Sequence, residues 1–274
     1  MLEHVRRSDP DRYLALLFAP AGKQGPLAAL YAFNAEIARV RGIVREPAMG
    51  EIRFQWWREV LHGGRAGEAR DNPVAAALIE TIQAQGLPVK PLVDLIDART
   101  FDLYDDPMPT WLDLEGYAGE TSSSLIRLAS LVLSDGADVG GAEAAGHAGV
   151  AYALAGLLRA FPWTSRRGQV FLPIELLDAH RVTPAAIRNG EDSPGLRAAL
   201  AEARARARGH LAATRSLVGT ISPAIAAAFL PVALVAPYLD AMERRGYDPY
   251  RDEIDVAKLR KLWILWRQAR RAGV

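Results

Sequence analysis

The chain has 274 residues, half of them hydrophobic and 24% charged, the balance of a globular protein with enough length to bury a sizeable core. Lys plus Arg number 33 against 32 Asp plus Glu, a net charge of +1, which gives no overall attraction for nucleic acid and confines any basic patch to a local feature. Cysteine is absent, which excludes disulfides, thiolate metal sites and a cysteine nucleophile, and agrees with a reducing compartment.

The N-terminal stretch MLEHVRRSDPDRYLALLFAP mixes Arg6, Arg7 and Arg12 with Glu3, Asp9 and Asp11 around a very short apolar run, so it makes a poor signal or transit peptide. In GPLAALYAFNAEIARVRGIV, Leu30, Phe33, Ile37, Val40 and Val44 recur at three- and four-residue spacing and predict a helix beginning near Pro26. EIRFQWWREVLHGG predicts a second helix, closed by Gly63 and Gly64. NPVAAALIETIQAQGL predicts a third, with Asn72 as its cap, Pro73 in its first turn and Gly86 at its end. Further helices are expected at 89–104, 110–133, 142–160, 196–218, 223–244 and 256–272.

Only QVFLP, residues 169–173, has strand character, and it is too short and isolated to seed a sheet. The loops YDDPMP, SDGADVGG and RNGEDSPG are too short for interdomain linkers, and no internal repeat is visible. The expectation is a single all-α domain over residues 1–274, built from about nine or ten helices. GGAEAAGHAGVAYALAG is crowded with Gly and Ala, which lets helix axes approach closely and predicts a central helix touching several neighbours. AIAAAFLPVALVAPYL falls short of the roughly 20 residues that a membrane span needs, and with Pro231 and Pro237 it reads as a kinked core helix.

The five histidines, His4, His62, His147, His180 and His210, include no pair at helical ligand spacing, which excludes a two-histidine zinc helix. Ser122, Ser123 and Ser124 lack a nucleophile-elbow motif, and their hydroxyls are expected to bond to the preceding helical turn. Asp94 and Asp97 share a face, expected to be solvated, while Asp102 turns inward; a metal box is the alternative reading. Arg204, Arg206 and Arg208 scatter around their helix as a solvated face. In VAKLRKLWILWRQARR, Leu259, Leu262, Trp263 and Trp266 form a stripe flanked by Lys258, Arg260, Lys261, Arg267, Arg270 and Arg271. The favoured reading packs both tryptophans into the bundle; the other lays a basic amphipathic helix on anionic lipid.

Taken together and in order, RYLALLFAP, LYAFNAEIARV, Trp57-Arg58, LVDLIDARTFDL, YAGETSSSLIRL and LLRAFPWTSRRGQVFLP resemble the squalene and phytoene synthase family of all-α head-to-head prenyl transferases. The resemblance implies an isoprenoid synthase helical bundle. In that family two aspartate-rich motifs face each other and bind magnesium, which holds the substrate diphosphates. Magnesium is usually held by one or two carboxylates together with phosphate oxygens. Here the first motif, Asp-Asp-x-x-Asp, falls on Ala38, Arg39 and Gly42, and the second, Asp-x-x-Glu-Asp, falls on Ala160, Trp163 and Thr164. Neither retains an acid; Glu36 is the nearest carboxylate to the first and points elsewhere on the helix. Pro162 disfavours helical dihedrals at Phe161, so the helix is expected to end near Ala160 and to separate positions 163 and 164 from that face.

What matches as it stands is cationic: Arg159, Arg166 and Arg167, with Gly168, Phe171, Leu172 and Pro173. Within the family, AFNAEIARV, the Trp-Trp pair, TSSSL and LLRAFPWTSRRGQVFLP look most like the branch that contains mitochondrial complex I assembly factor 6. The resemblance therefore implies a catalytically degenerate protein, with no catalytic residue, metal or cofactor, that acts in respiratory complex assembly by binding a protein. The poor transit peptide points to a bacterial counterpart or a chain without its leader, cytoplasmic, with peripheral attachment at the inner membrane left open. Two rivals stay open. One is a magnesium-dependent prenyl transferase that recruits Glu36 and Asp102. The other is an isoprenoid- or lipid-binding protein whose cavity carries Arg39, Arg159 and Arg166, with Arg167 as a further anion-binding candidate, and which large side chains such as Phe161 or Trp163 would collapse.

Overall fold

A computed structural model describes residues 1–273. Among them every regular element is helical and no strand forms; QVFLP is an irregular connection between the Ala142–Arg166 and Ile174–Ala179 helices. Local signals set many of the boundaries. Asn72 Oδ1 accepts from the backbone N–H groups of Val74 and Ala75 at 3.0 and 3.1 Å, and Gly86 closes the Pro73–Gln85 helix in the left-handed region at φ 61°. Thr110 and Asp113 form a reciprocal capping box ahead of Trp111–Ala118.

Elsewhere tertiary packing overrides the local signal. The first long helix runs Ala21–Ala38, so Pro26 lies inside it rather than at its start and gives up the backbone bond that its own N–H would make. The expected 110–133 helix is three pieces: Trp111–Ala118, a π turn at Gly119–Ser123, and Ser124–Leu133. That turn wraps Gly149, where an added Cβ would meet Ser123 N at 2.3 Å. Ser123 Oγ donates across the contact to Gly146 O at 2.9 Å, not to its own preceding turn, whereas Thr121 does bond back to Tyr117 O at 2.7 Å. The apolar 223–244 segment is a 3-10 helix at Pro223–Leu234 followed by an α-helix at Val235–Met242. It is long and apolar enough to cross a membrane by composition, but 78% of its most apolar window is buried in the bundle.

Two further corrections concern the site. The Gly/Ala-rich helix is central as expected, packing on Trp111–Ala118, the π turn, Ser124–Leu133, Pro194–Ser216 and the Pro223–Met242 segment. It continues, however, through Pro162 to Arg166. Phe161, Pro162 and Ser165 are buried, and Ser165 Oγ donates to Phe161 O at 2.6 Å, so packing outweighs the backbone bias against a residue that precedes proline. The stop comes at Gly168, φ 83°, with Gln169 N donating to Thr164 O at 2.9 Å. In the Lys258–Ala272 helix the buried face is Lys261, Leu265 and Ala269. Trp263 and Trp266 do not pack into the bundle; they are 53% and 46% exposed. One hydrophobic cluster draws on residues from Val5 to Ala269.

Candidate functional site

The first motif positions lie at the end of Ala21–Ala38 and in the Val40–Ile43 turn, and Ala38, Arg39 and Gly42 are all exposed. The second set, Ala160, Trp163 and Thr164, shares one face of an unbroken helix at i, i+3 and i+4. The two regions approach at one point: a Cβ built on Gly42 would lie 3.4 Å from Arg167 Nη1. Gly42, which the resemblance matches to the last aspartate of the first motif, therefore faces a guanidinium.

These residues do not fit magnesium. Across the motif positions the only side-chain oxygen is the Thr164 hydroxyl, which donates to Phe161 O at 3.4 Å. Among the described residues no group of three His, Asp or Glu side chains converges to hold a metal ion. Nor do the substitute carboxylates meet. Glu36 accepts from Arg39 Nη2 at 2.8 Å, lies 3.4 Å from His4 Nε2, and lines a surface groove of about 320 Å³ with Val40, Ile43, Ile52, Trp56 and Trp57. Asp102 is turned inward as the sequence predicts, 6% exposed, and accepts from Arg99 Nη1 at 3.0 Å and the Tyr117 hydroxyl at 2.8 Å. Asp94 and Asp97 are likewise taken, by Lys90 and Arg58.

The candidate cations divide by role. Arg39 is exposed and paired with Glu36. Arg159 donates through Nε to Ile254 O at 3.1 Å and through Nη1 to Asp11 Oδ2 at 3.2 Å, with its guanidinium 3.7 Å from the Tyr238 ring centroid. Arg166 Nη2 donates to Tyr250 O at 3.0 Å. Arg159 and Arg166 thus tie the central helix to the 250–255 segment, a structural use of arginine at a helix end.

Arg12 is a residue that sequence reasoning passed over. It is 8% exposed, paired with Asp9 at 2.7 Å, and its guanidinium lies 5.7 Å from the Tyr31 ring and 4.6 Å from the Tyr152 ring. Tyr31 belongs to the helix of the first motif and Tyr152 to the helix of the second, so Arg12 fills the space between them. Burial works against its charge, yet the neighbouring Tyr152 and Asp9 outweigh burial and raise its pKa. Burial pushes the Tyr31 phenol up to about 12 and raises Tyr152 as well. The available signal was position: Tyr31 stands two turns before Ala38, and Tyr152 two turns before Arg159, each on the same helix face.

One small apolar cavity lies beside the second motif helix. Leu114, Leu154, Leu158, Phe161, Phe171 and Leu172 surround about 20 Å³, room for about one water. Phe161 lines it and also packs on Tyr250 at 5.3 Å between ring centroids; Trp163 points to solvent, 41% exposed. Arg39, Arg159 and Arg166 do not line it.

The squalene/phytoene synthase profile matches residues 5–263. The chain belongs to the squalene/phytoene synthase family. It is 32% identical over 253 residues to NADH dehydrogenase (ubiquinone) complex I, assembly factor 6 of Rattus norvegicus, spanning 92% of this chain and 76% of that protein. The Homo sapiens protein of that name is 29% identical over the same shares. A 15-cis-phytoene synthase of Synechocystis is 25% identical over 270 residues, spanning 92% of this chain and 78% of that one. Among solved structures, a dehydrosqualene synthase superposes with a TM-score of 0.80 at 18% identity, covering 99% of this chain and 95% of that one. A squalene synthase from Alicyclobacillus acidocaldarius gives 0.77 at 23%, covering 90% and 93%. These superpositions establish the all-helical isoprenoid synthase fold expected from the motifs.

Proposed function

We propose that this member of the squalene/phytoene synthase family is a catalytically degenerate protein that acts in the biogenesis of respiratory complex I by binding a protein partner. The observation that carries the reading is the pair of motif surfaces. The helices are in place, yet Ala38, Arg39, Gly42, Ala160, Trp163 and Thr164 offer no carboxylate, and Arg167 stands beside Gly42. A diphosphate ionises only if its leaving charge is neutralised, and in this family magnesium held by carboxylates does so. Identity to the assembly factors, 32% for the rat protein against 25% for the phytoene synthase, supports the same reading.

The test has two arms. Purified protein incubated with farnesyl or geranylgeranyl diphosphate and magnesium is expected to release no diphosphate; sustained release that chelation abolishes would overturn the proposal. In the source cell, deletion of the gene is expected to lower membrane NADH:quinone activity and to leave cellular squalene and phytoene unchanged. The reverse pattern would restore the prenyl transferase reading.

A further inference from the structure

The Lys258–Ala272 helix is acid-free, from Ala257 through Gly273. It seats Lys261, Leu265 and Ala269 on the bundle at four-residue spacing, and Lys261 is held inward by Asp11 at 2.7 Å and Asp255 at 2.6 Å. The outward side carries Leu259, 81% exposed, together with Trp263 and Trp266, at the i, i+4, i+7 spacing of one face. Arg267 lies 4.6 Å from the Trp263 ring and Arg270 5.1 Å from the Trp266 ring. At 100° per residue Arg260, Arg267 and Arg271 line one flank of this apolar strip.

The protein's other arginine-rich helix shows what an ordinary solvated face looks like here. On Pro194–Ser216, Arg197, Arg206 and Arg208 pair with Asp192, Glu115 and Asp240. On Lys258–Ala272 the ion pairs among the described residues are those of Lys261, which faces inward. Outward arginines without acids, set beside exposed indoles and Leu259, match a surface that offers many anionic oxygens and an apolar layer just beneath them. A phospholipid headgroup region provides both, and indole rings favour that depth.

We propose that this helix docks flat on an anionic bilayer, with Leu259, Trp263 and Trp266 at the headgroup–acyl boundary and Arg260, Arg267, Arg270 and Arg271 on lipid phosphates. The proposal is independent of any respiratory partner, because every residue it invokes belongs to this helix.

The test is co-sedimentation of the full chain with vesicles of phosphatidylglycerol and phosphatidylethanolamine, against vesicles of phosphatidylcholine alone. Binding to the anionic vesicles, with a blue shift of tryptophan emission and weakening at high salt, is expected. Two variants are compared: Leu259→Ser/Trp263→Ser/Trp266→Ser, and Arg260→Glu/Arg267→Glu/Arg271→Glu. Each is expected to lose about tenfold or more in partition coefficient with unchanged circular dichroism; the second alters no buried side chain, so it stays informative if the first unfolds. Equal binding to phosphatidylcholine, no binding to either vesicle, or a folded charge-reversed variant that binds like the parent would overturn the proposal. So would a dimer in light scattering that the apolar triple variant dissociates, which would assign the face to a second copy.

Discussion

Asp11 and Lys261 lie 250 residues apart in sequence and form an ion pair of 2.7 Å, with each side chain only 5% exposed. Asp11 also accepts from Arg159 and from the Tyr238 hydroxyl, at 3.2 and 2.6 Å. One carboxylate therefore joins the Pro10–Leu16, Ala142–Arg166, Val235–Met242 and Lys258–Ala272 helices. Removing Asp11 leaves the buried Lys261 with only Asp255, whose side chain is 66% exposed, as its counter-charge, and a buried charge that loses its buried partner is poorly compensated. Asp11→Ala is expected to cost about 3–5 kcal/mol, read from urea unfolding; a loss under about 1 kcal/mol would show that water, not the carboxylate, solvates these cations.

Gly149 and Gly156 stand on the same helix in opposite circumstances. A Cβ at Gly149 meets Ser123 backbone atoms within 2.4 Å, whereas one at Gly156 meets nothing within 4 Å. Gly149→Ala should destabilise by about 1–3 kcal/mol or more, because the obstructing atoms are backbone. Gly156→Ala should stabilise by roughly 0.5–1 kcal/mol, the helix-propensity difference. Thermal melts of the two variants check both signs.

The acid limb of stability follows from Glu115 and Asp255. Partial burial alone would raise the Glu115 carboxyl, but hydrogen bonds from Arg206 and His210 overcome it and hold the group below its ordinary value of 4.5. Asp255 is likewise held below 3.8, burial being outweighed by the hydrogen bond from Lys261. Both pKa values are depressed on folding, so their stabilisation is fully present above the unfolded values and is lost as pH falls through the folded ones. Urea midpoints should therefore decline once pH drops below the ordinary carboxylate range, and the combined Glu115→Gln, Asp255→Asn variant should decline less steeply. An equally steep fall in that variant would place the acid sensitivity elsewhere.

Phe161→Ala tests the small cavity beside the second motif helix. Truncation of this buried ring should cost about 3–5 kcal/mol and open space beside Leu154, Leu158 and Phe171. A short isoprenoid alcohol such as geraniol should then raise the melting temperature of the variant and leave that of the parent unmoved. A comparable rise in the parent would mean that its cavity already opens in solution.

The helical fold and the missing carboxylates are both legible in the chain. Helical periodicity, the Asn72 and Gly86 ends and the ordered family segments give the bundle, and the side chains at 38, 39, 42, 160, 163 and 164 are set by the chain alone. These signals are legible because each lies within one or two helical turns. Other features come from contacts between distant segments. Pro162 reads locally as a stop, but buried neighbours on both sides carry the helix through it. Trp263 and Trp266 read as core, but the helix turns Lys261, Leu265 and Ala269 to the bundle and leaves both tryptophans exposed. Arg12 between Tyr31 and Tyr152, and Lys261 on Asp11, depend on contacts between distant segments, whose free energies come from shared burial and mutual desolvation that no local pattern encodes.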